Sequence, residues 1–351
     1  MFRSSRIASR RRTLAVALTA VAAVTLTACG GGASDSTAGS GSSVADGSGG
    51  TITLVGYSVA KAGYDVVVPA FNQTDAGKGV QVQASYGPSG DQSRKVKDGA
   101  DADVVSFSLE SDVTRLVDAG LVDAGWNADA TKGIPFSSEV VIAVRKGNPK
   151  GIHDWDDLLK PGVQVVTPNP FSSGSAKWNL LAPYAAKSDG GKNPQAGLDY
   201  LSKLITKDHI TVQPKSGREA TDTFLQGTGD VLISYENEAL FSERKGDAIE
   251  HFLPPTTFKI ENPVAVTKNA KNPGKATAFR DFLYTPAGQK AFAQAGFRPV
   301  DPKTAADFTK DFPAPQQQWT IADLGGWKKV DKDLFTPGSG SIAQLYDAAT
   351  K

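Results

Sequence analysis

The sequence predicts an α/β fold with parallel sheets, built from two domains. Segments typical of strands alternate with segments typical of helices over most of the chain, which is the pattern of parallel α/β layers. The apolar run 230–234 is typical of a strand buried inside such a sheet. About 300 residues follow the N-terminal segments, which is enough for two domains of ordinary size.

The apolar spacing places the elements in order along this folded part. Predicted strands are residues 51–57, 80–85, 102–105, 140–145, 163–167 and 230–234. Predicted helices are residues 63–71, 89–97, 109–119, 152–159, 173–186, 194–205, 276–282 and 286–295. The tail from Asp311 is rich in Pro, Gly and aromatic residues, and we expect it to wrap around the outside.

The N-terminus predicts export. A basic region with five arginines precedes an apolar stretch at 14–24 that is too short to span a bilayer comfortably. The stretch ends in Leu26-Thr27-Ala28-Cys29-Gly30, which resembles a lipobox with Cys29 as the lipidated first residue of the mature chain. We therefore expect residues 1–28 to be a lipoprotein signal peptide. Ordinary cleavage elsewhere, or twin-arginine export through residues 9–12, remains an alternative.

Residues 29–50 predict a flexible tether. They are almost entirely Gly, Ser, Ala, Asp and Thr, a composition that buries little apolar area. Loss of the signal peptide leaves 33 basic residues against 37 acidic ones, a net charge of −4. This charge gives no basic footprint for nucleic acid, and it indicates that any bound anion is held by local dipoles.

Small-residue loops lie where the predicted strands feed helices, which is where ligands bind in open α/β sheets. The most informative loop, 169–175, combines Ser and Gly before a helix and leaves backbone N–H groups free for an oxyanion. Similar loops lie at 56–58, 85–91 and 216–221. The three histidines are scattered, no P-loop or G-x-S-x-G elbow occurs, and no general base accompanies the serines, so we expect no enzyme activity, metal or cofactor.

These segments resemble the periplasmic sulfate-binding proteins of ABC importers. The resemblance is carried by residues 85–93, 144–149 with 152–155, 160–162, 167–179 and 229–239, and it extends over nearly all of 51–346. It implies a two-lobed, type II periplasmic-binding-protein-like α/β fold with hinge strands between the lobes. Lobe one would comprise residues 51–139 and 259–351, and lobe two residues 140–258.

The resemblance also implies a set of ligand donors from both lobes. They are Ser58, Ser89, Gly90, Ser173, Gly174, Ser175, Gly217, Arg218 and Tyr235. Ser175 replaces a family glycine, Tyr235 a tryptophan and Ser58 an aspartate, and the segment at Gly217-Arg218 is one residue short.

The implied function is capture of sulfate and delivery to an ABC permease by a monomer anchored through Cys29 on the outer face of the cell membrane. Phosphate, thiosulfate and molybdate remain alternative ligands, and a secreted serine hydrolase using Ser173 is the alternative of another class. Phosphate keeps a proton near pH 7, so a carboxylate in the cleft would favour it. Asp91, Glu139 and Asp222 are the candidate acceptors.

Overall fold

We describe the protein from a computed structural model, which describes residues 49–206 and 208–349. The predicted signal peptide, Cys29 and most of the predicted tether lie outside these residues. The predicted alternation of strands and helices is confirmed from Thr51 onward.

Twelve strands are present in the described residues. They are β1 Thr51–Tyr57, β2 Gln81–Gly87, β3 Val104–Ser106, β4 Phe136–Arg145, β5 Val165–Val166, β6 Ile210–Val212, β7 Val231–Tyr235, β8 Ile249–Phe252, β9 Thr256–Asn262, β10 Val264–Val266, β11 Arg298–Pro299 and β12 Gln317–Trp319. The six strands predicted from the sequence are all there. The remaining strands, β6 and β8–β12, are short or lie in segments without clear alternation, and the pattern did not reveal them.

Twelve α-helices lie between and after these strands. They are α1 Lys61–Asn72, α2 Ser89–Lys97, α3 Glu110–Asp118, α4 Gly174–Ser188, α5 Pro194–Leu204, α6 Gly217–Leu225, α7 Glu236–Arg244, α8 Pro273–Phe282, α9 Pro286–Gln294, α10 Pro302–Asp307, α11 Trp327–Val330 and α12 Ser341–Ala349. The helix predicted at 152–159 is a shorter 3₁₀ helix, Trp155–Leu159. Over the part of the chain that the structure describes, no helix is long and apolar enough to cross a bilayer.

The first sheet is small and mostly parallel. Its strand order is β10-β3-β1-β2, with β1 parallel to both β2 and β3. Only β10 runs antiparallel, against β3. Because β1, β2 and β3 point the same way, their carboxyl ends bring the loops after Tyr57, Gly87 and Ser106 to one edge.

The second sheet follows the order β12-β9-β4-β7-β5-β6 and mixes both directions. The parallel pairs β5–β7 and β5–β6 bring the loops before α4, α6 and α7 to one edge. The long strand β4 pairs with β9 through its first half and with β7 and β8 through its second half. Every residue of β4 except Arg145 is buried, and strands pair with both of its edges.

The C-terminal segment differs from the outer wrapping expected from its composition. β12 pairs with β9, and Trp327 of α11, Ile342 of α12 and Phe335, at the end of the π-helix Asp331–Phe335 between them, are buried. Trp327 packs edge-on against Trp178 of α4, with ring centroids 4.6 Å apart. Apolar residues spaced along the tail therefore belong to the core, a feature that its Pro and Gly content concealed.

Candidate functional site

The loops at the carboxyl ends of both sheets meet at one place, and two glycines show how closely. A Cβ on Gly174 would lie 2.7 Å from Cβ of Ser108, which follows β3 of the first sheet. A Cβ on Gly217 would lie 2.8 Å from both Oγ of Ser175 and Cγ2 of Val59. Real Cβ atoms do not approach so closely. Glycine at these positions therefore permits the two halves of the molecule, each a sheet with the helices that follow its strands, to come together.

The N-termini of α2 and α4 lie at this meeting point, one from each side. No side chain caps the N-terminus of α2 at Pro88 or that of α4 at Ser173. The first N–H groups of a helix have no partner within it, and the helix dipole adds positive potential at the same end. By contrast, α6 is capped by Ser216, whose hydroxyl accepts from the N–H of Glu219 at 3.3 Å. The ends of α2 and α4 are therefore the stronger places for an anion.

Ser89, at the first position of α2, is buried, and its hydroxyl is already engaged. It donates to Oδ2 of Asp112 at 2.6 Å and accepts from the N–H of Ser108 at 2.9 Å. Arg115 balances the buried Asp112 through a contact of 2.9 Å. The hydroxyl proton of Ser89 points to Asp112 and is not available to an anion. The donors that remain in this loop are the backbone N–H groups of Ser89 and of its partly exposed neighbour Gly90.

Ser173 and Ser175 flank Gly174 at the start of α4, and both are buried. Their hydroxyl oxygens lie 2.7 Å apart. In such a pair one hydroxyl donates its proton to the other. The accepting hydroxyl keeps its own proton, which it can donate to a third group. The buried pair therefore supplies a hydroxyl donor beside the free N–H groups of the helix.

Tyr235 ends β7 and lies 1% exposed at the same meeting point. Its hydroxyl is 2.8 Å from Oγ of Ser108, and its ring centroid is 6.4 Å from that of Tyr57. Burial raises the pKa of Tyr235 well above its ordinary value. The phenol therefore keeps its proton at neutral pH and acts as a neutral hydrogen-bonding group.

Arg218 follows Gly217 on α6, but its guanidinium is directed towards α7. It donates to Oε1 of the buried Glu238 at 2.6 Å and lies 4.5 Å above the ring of Phe241. Burial raises the pKa of Glu238, and the charge of Arg218 opposes that rise. The arginine charge is thus balanced by Glu238, while the N–H groups of Gly217 and Arg218 lie in the first turn of α6, where the Ser216 cap engages only the N–H of Glu219.

Ser58 begins a 3₁₀ helix, Ser58–Ala60, immediately after β1 and is half-buried. It stands next to Val59, the residue that packs against Gly217. The sequence-predicted residues of both sheets therefore gather around one point, with the Arg218 side chain turned away from it.

The three carboxylates that the sequence offers as acceptors are engaged or exposed elsewhere. Asp91 pairs with Arg94 on the exposed face of α2, and Asp222 is exposed on α6. Glu139, on β4, accepts from Nε2 of Gln318 at 2.5 Å.

Sequence reasoning missed Ser108, Asp112 and Asn262. Ser108 lies just past the predicted strand 102–105, so the rule that selected the other loops at strand ends would have selected it too. Asp112 on α3 and Asn262 at the end of β9 carry no such signal, since their roles arise from contacts with residues distant in the sequence.

Comparison with known proteins agrees with this geometry. The family model described as "Bacterial extracellular solute-binding protein" matches residues 52–298. A sulfate-binding protein of Synechococcus elongatus is 39% identical over 337 residues, which cover 92% of each chain. A thiosulfate-binding protein of Pseudomonas aeruginosa is 35% identical, over 83% of this chain and 91% of the relative.

A solved structure gives the same result. The sulfate-binding protein SubI from Mycobacterium tuberculosis H37Rv superposes with a TM-score of 0.80 at 62% identity, covering 82% of this chain and 99% of that chain. The predicted two-lobed, type II periplasmic-binding-protein fold is confirmed. The chain belongs to the bacterial extracellular solute-binding proteins and, within them, to the sulfate-binding protein family.

Proposed function

We propose that this protein captures sulfate between its two lobes and delivers it to an ABC permease, without chemistry on the ligand. One observation carries the proposal: the uncapped starts of α2 and α4 meet beside the buried hydroxyls of Ser173, Ser175 and Tyr235. Helix N–H groups and neutral hydroxyls are what a fully deprotonated oxyanion needs. The names of the relatives point to the same ligand.

The donor set is sufficient in energy. A hydrogen bond to a charged partner contributes roughly 1.5–3 kcal/mol. Six or seven such bonds exceed the ~8 kcal/mol that corresponds to micromolar affinity. The surplus offsets desolvation of the anion and the closing of the lobes. Nine groups are candidates for these six or seven bonds: the N–H groups at Ser58, Ser89, Gly90, Gly174, Ser175, Gly217 and Arg218 and the hydroxyls of Ser173 and Tyr235.

Sulfate is favoured over phosphate in this proposal. Phosphate near pH 7 carries a proton that needs an acceptor, whereas Asp91 is paired with Arg94, Glu139 accepts from Gln318, and Asp222 is exposed. Asp112 lies behind Ser89, with one oxygen taken by that hydroxyl and the other by Arg115. Thiosulfate shares the tetrahedral shape and the deprotonated state of sulfate, and a thiosulfate-binding relative makes it the second candidate.

The lobe boundaries belong to the same proposal. We place the crossings within β4 and β9, near 139–140 and 258–259, because β10 then returns the chain to the first sheet. The tail complicates the assignment of 259–351 to lobe one. Its helix α12 contacts α5, and Trp327 packs on Trp178. The C-terminal residues therefore pack against helices of lobe two.

We also propose that Cys29 is lipidated and holds a monomer on the outer face of the membrane. The lipobox-like sequence before Cys29 supports this. In the native host, Cys29→Ala should shift the protein from the membrane fraction to the medium or periplasm. Full retention on the membrane would contradict the anchor.

The test of ligand identity is isothermal titration with sulfate, phosphate and thiosulfate at pH 7. The protein is residues 47–351, which form one compact unit. We expect micromolar or tighter sulfate binding and no response to phosphate. Phosphate binding would mean that a carboxylate enters the cleft, and preference for thiosulfate would transfer the assignment to the second candidate.

A further inference from the structure

Ser108 lies where the two halves of the molecule touch. It follows β3 of the first sheet and is completely buried. Its Cβ and Oγ lie 2.7 and 2.8 Å from the position of a Cβ on Gly174, the first residue of α4. No atom larger than hydrogen fits between them, so Ser108 is in direct contact with the helix terminus that the proposed function assigns to the anion.

The carbonyl of Ser108 accepts two hydrogen bonds, one from α4 and one from the end of β9. The indole N–H of Trp178, on α4, donates at 2.9 Å, and Nδ2 of Asn262, at the end of β9, donates at 3.2 Å. Asn262 in turn accepts from the hydroxyl of Tyr57 at 2.9 Å. A single backbone carbonyl thus connects the end of β1, the end of β9 and α4.

The side chain of Ser108 makes a second connection. Its hydroxyl is 2.8 Å from the hydroxyl of Tyr235, at the end of β7. Either hydroxyl can be the donor, and which one donates decides whether the proton of Tyr235 is available to a ligand. If Ser108 donates, the proton of Tyr235 is free for an anion, whereas if Tyr235 donates, that proton is consumed within the protein.

We propose that Ser108 is a positioning residue for ligand capture. Its hydroxyl donates to Tyr235 and so turns the phenol proton towards the ligand, while its carbonyl holds Trp178 and keeps α4 against the first sheet. The inference rests on the proposed function for the identity of the ligand, but the connection across the halves stands on contacts that need no ligand.

The first experiment is a double-mutant cycle, because Ser108 is proposed to act through Tyr235. Ser108→Ala, Tyr235→Phe and the double variant are titrated with sulfate, with Ser242→Ala, an equally buried serine on α7, as the matched control. Each single variant at the site should weaken binding by about tenfold, the double variant should be no weaker than Tyr235→Phe, and the control should match the wild type. A merely structural role for Ser108 would lower the binding stoichiometry instead and leave the dissociation constant unchanged.

The proposal is overturned if Ser108→Ala weakens binding as much in the Tyr235→Phe background as in the wild type, since Ser108 then does not act through the phenol. Equal affinities of Ser108→Ala and the wild type would overturn it as well.

The second experiment uses no ligand and separates this inference from the assignment of sulfate. Small-angle X-ray scattering of the ligand-free wild type is compared with that of Ser108→Ala/Trp178→Phe. We expect a larger radius of gyration for the variant, because both contacts across the halves are weakened. If the wild type binds no sulfate but the variant expands, the proposed ligand is wrong and the connection is right. An unchanged radius overturns the connection.

Discussion

At the scale of single residues, the site is made of small and neutral groups whose orientation is set by a second layer of contacts. Asp112 accepts a hydrogen bond from the hydroxyl of Ser89, and Glu238 accepts one from the guanidinium of Arg218. In both cases a buried carboxylate engages a side chain that the sequence assigned to the ligand. The backbone N–H of each residue is left for that purpose, so these donors carry no net charge.

The first prediction concerns Ser173, which keeps a hydroxyl proton available beside Ser175. Ser173→Ala should weaken sulfate binding by about 1–3 kcal/mol, because one hydrogen bond to the charged anion is lost. Isothermal titration measures the change. The control is Ser172→Ala, because the hydroxyl of Ser172 donates to the carbonyl of Lys215 at 2.9 Å instead. Unchanged affinity of Ser173→Ala would remove this residue from the site.

At the scale of elements, the start of α4 is the critical feature. A helix terminus attracts an anion only if its N–H groups are free and if the opposite lobe can approach it closely. Ser173 meets the first condition by leaving α4 uncapped, and Gly174 meets the second by lacking a Cβ. The loop pattern 169–175 predicted the first property, whereas the second depends on Ser108, about 65 positions earlier in the chain.

The second prediction tests that close approach. Gly174→Ala places a methyl group against Ser108 and Leu109, so the lobes should fail to close and sulfate affinity should fall at least a hundredfold. Gly274→Ala on α8 is the matched control, because that position has open space and should be neutral or slightly stabilising. Titration and thermal unfolding of both variants measure this, and near-wild-type affinity of Gly174→Ala would show that closure tolerates the methyl.

At the scale of the whole molecule, β4 and β9 carry the chain between the two sheets, and a buried charge cluster lies beside them. Arg298 makes a double contact with Glu236, at 2.5 and 2.7 Å, and lies 4.0 Å from Glu139 on β4. Within the described residues, Oε2 of Glu139 is buried without a hydrogen-bond partner. The guanidinium of Arg298 thus lies near two buried carboxylates but makes hydrogen bonds to only one of them, that of Glu236.

The third prediction concerns Glu139, the carboxylate to which Arg298 makes no hydrogen bond. Burial, with the neighbouring Glu236, raises the pKa of Glu139 to about 8, while Arg298 opposes the rise. Between the ordinary glutamate pKa of about 4.3 and this value, the folded protein holds a proton that the unfolded chain has released. The free energy of unfolding should therefore fall as pH rises through this window, by at most about 1.4 kcal/mol per pH unit from this group.

Denaturant unfolding of the wild type and Glu139→Gln at pH 5 and pH 8 measures the effect. The glutamine variant should lose less stability over this interval, because the amide does not titrate. Parallel losses in the two proteins would place the pKa of Glu139 near its ordinary value.

The amino-acid sequence alone predicts the alternation of strands and helices, the serine and glycine loops at the strand ends and, through its resemblance, the family. These properties are local, since apolar spacing and loop composition are read within a few residues. Four features appear only when the chain is packed: Ser89 donates to Asp112, Arg218 pairs with Glu238, the tail enters the core, and Ser108 contacts both halves. Each of these depends on which distant residues meet when two sheets pack together, and no local pattern encodes that meeting.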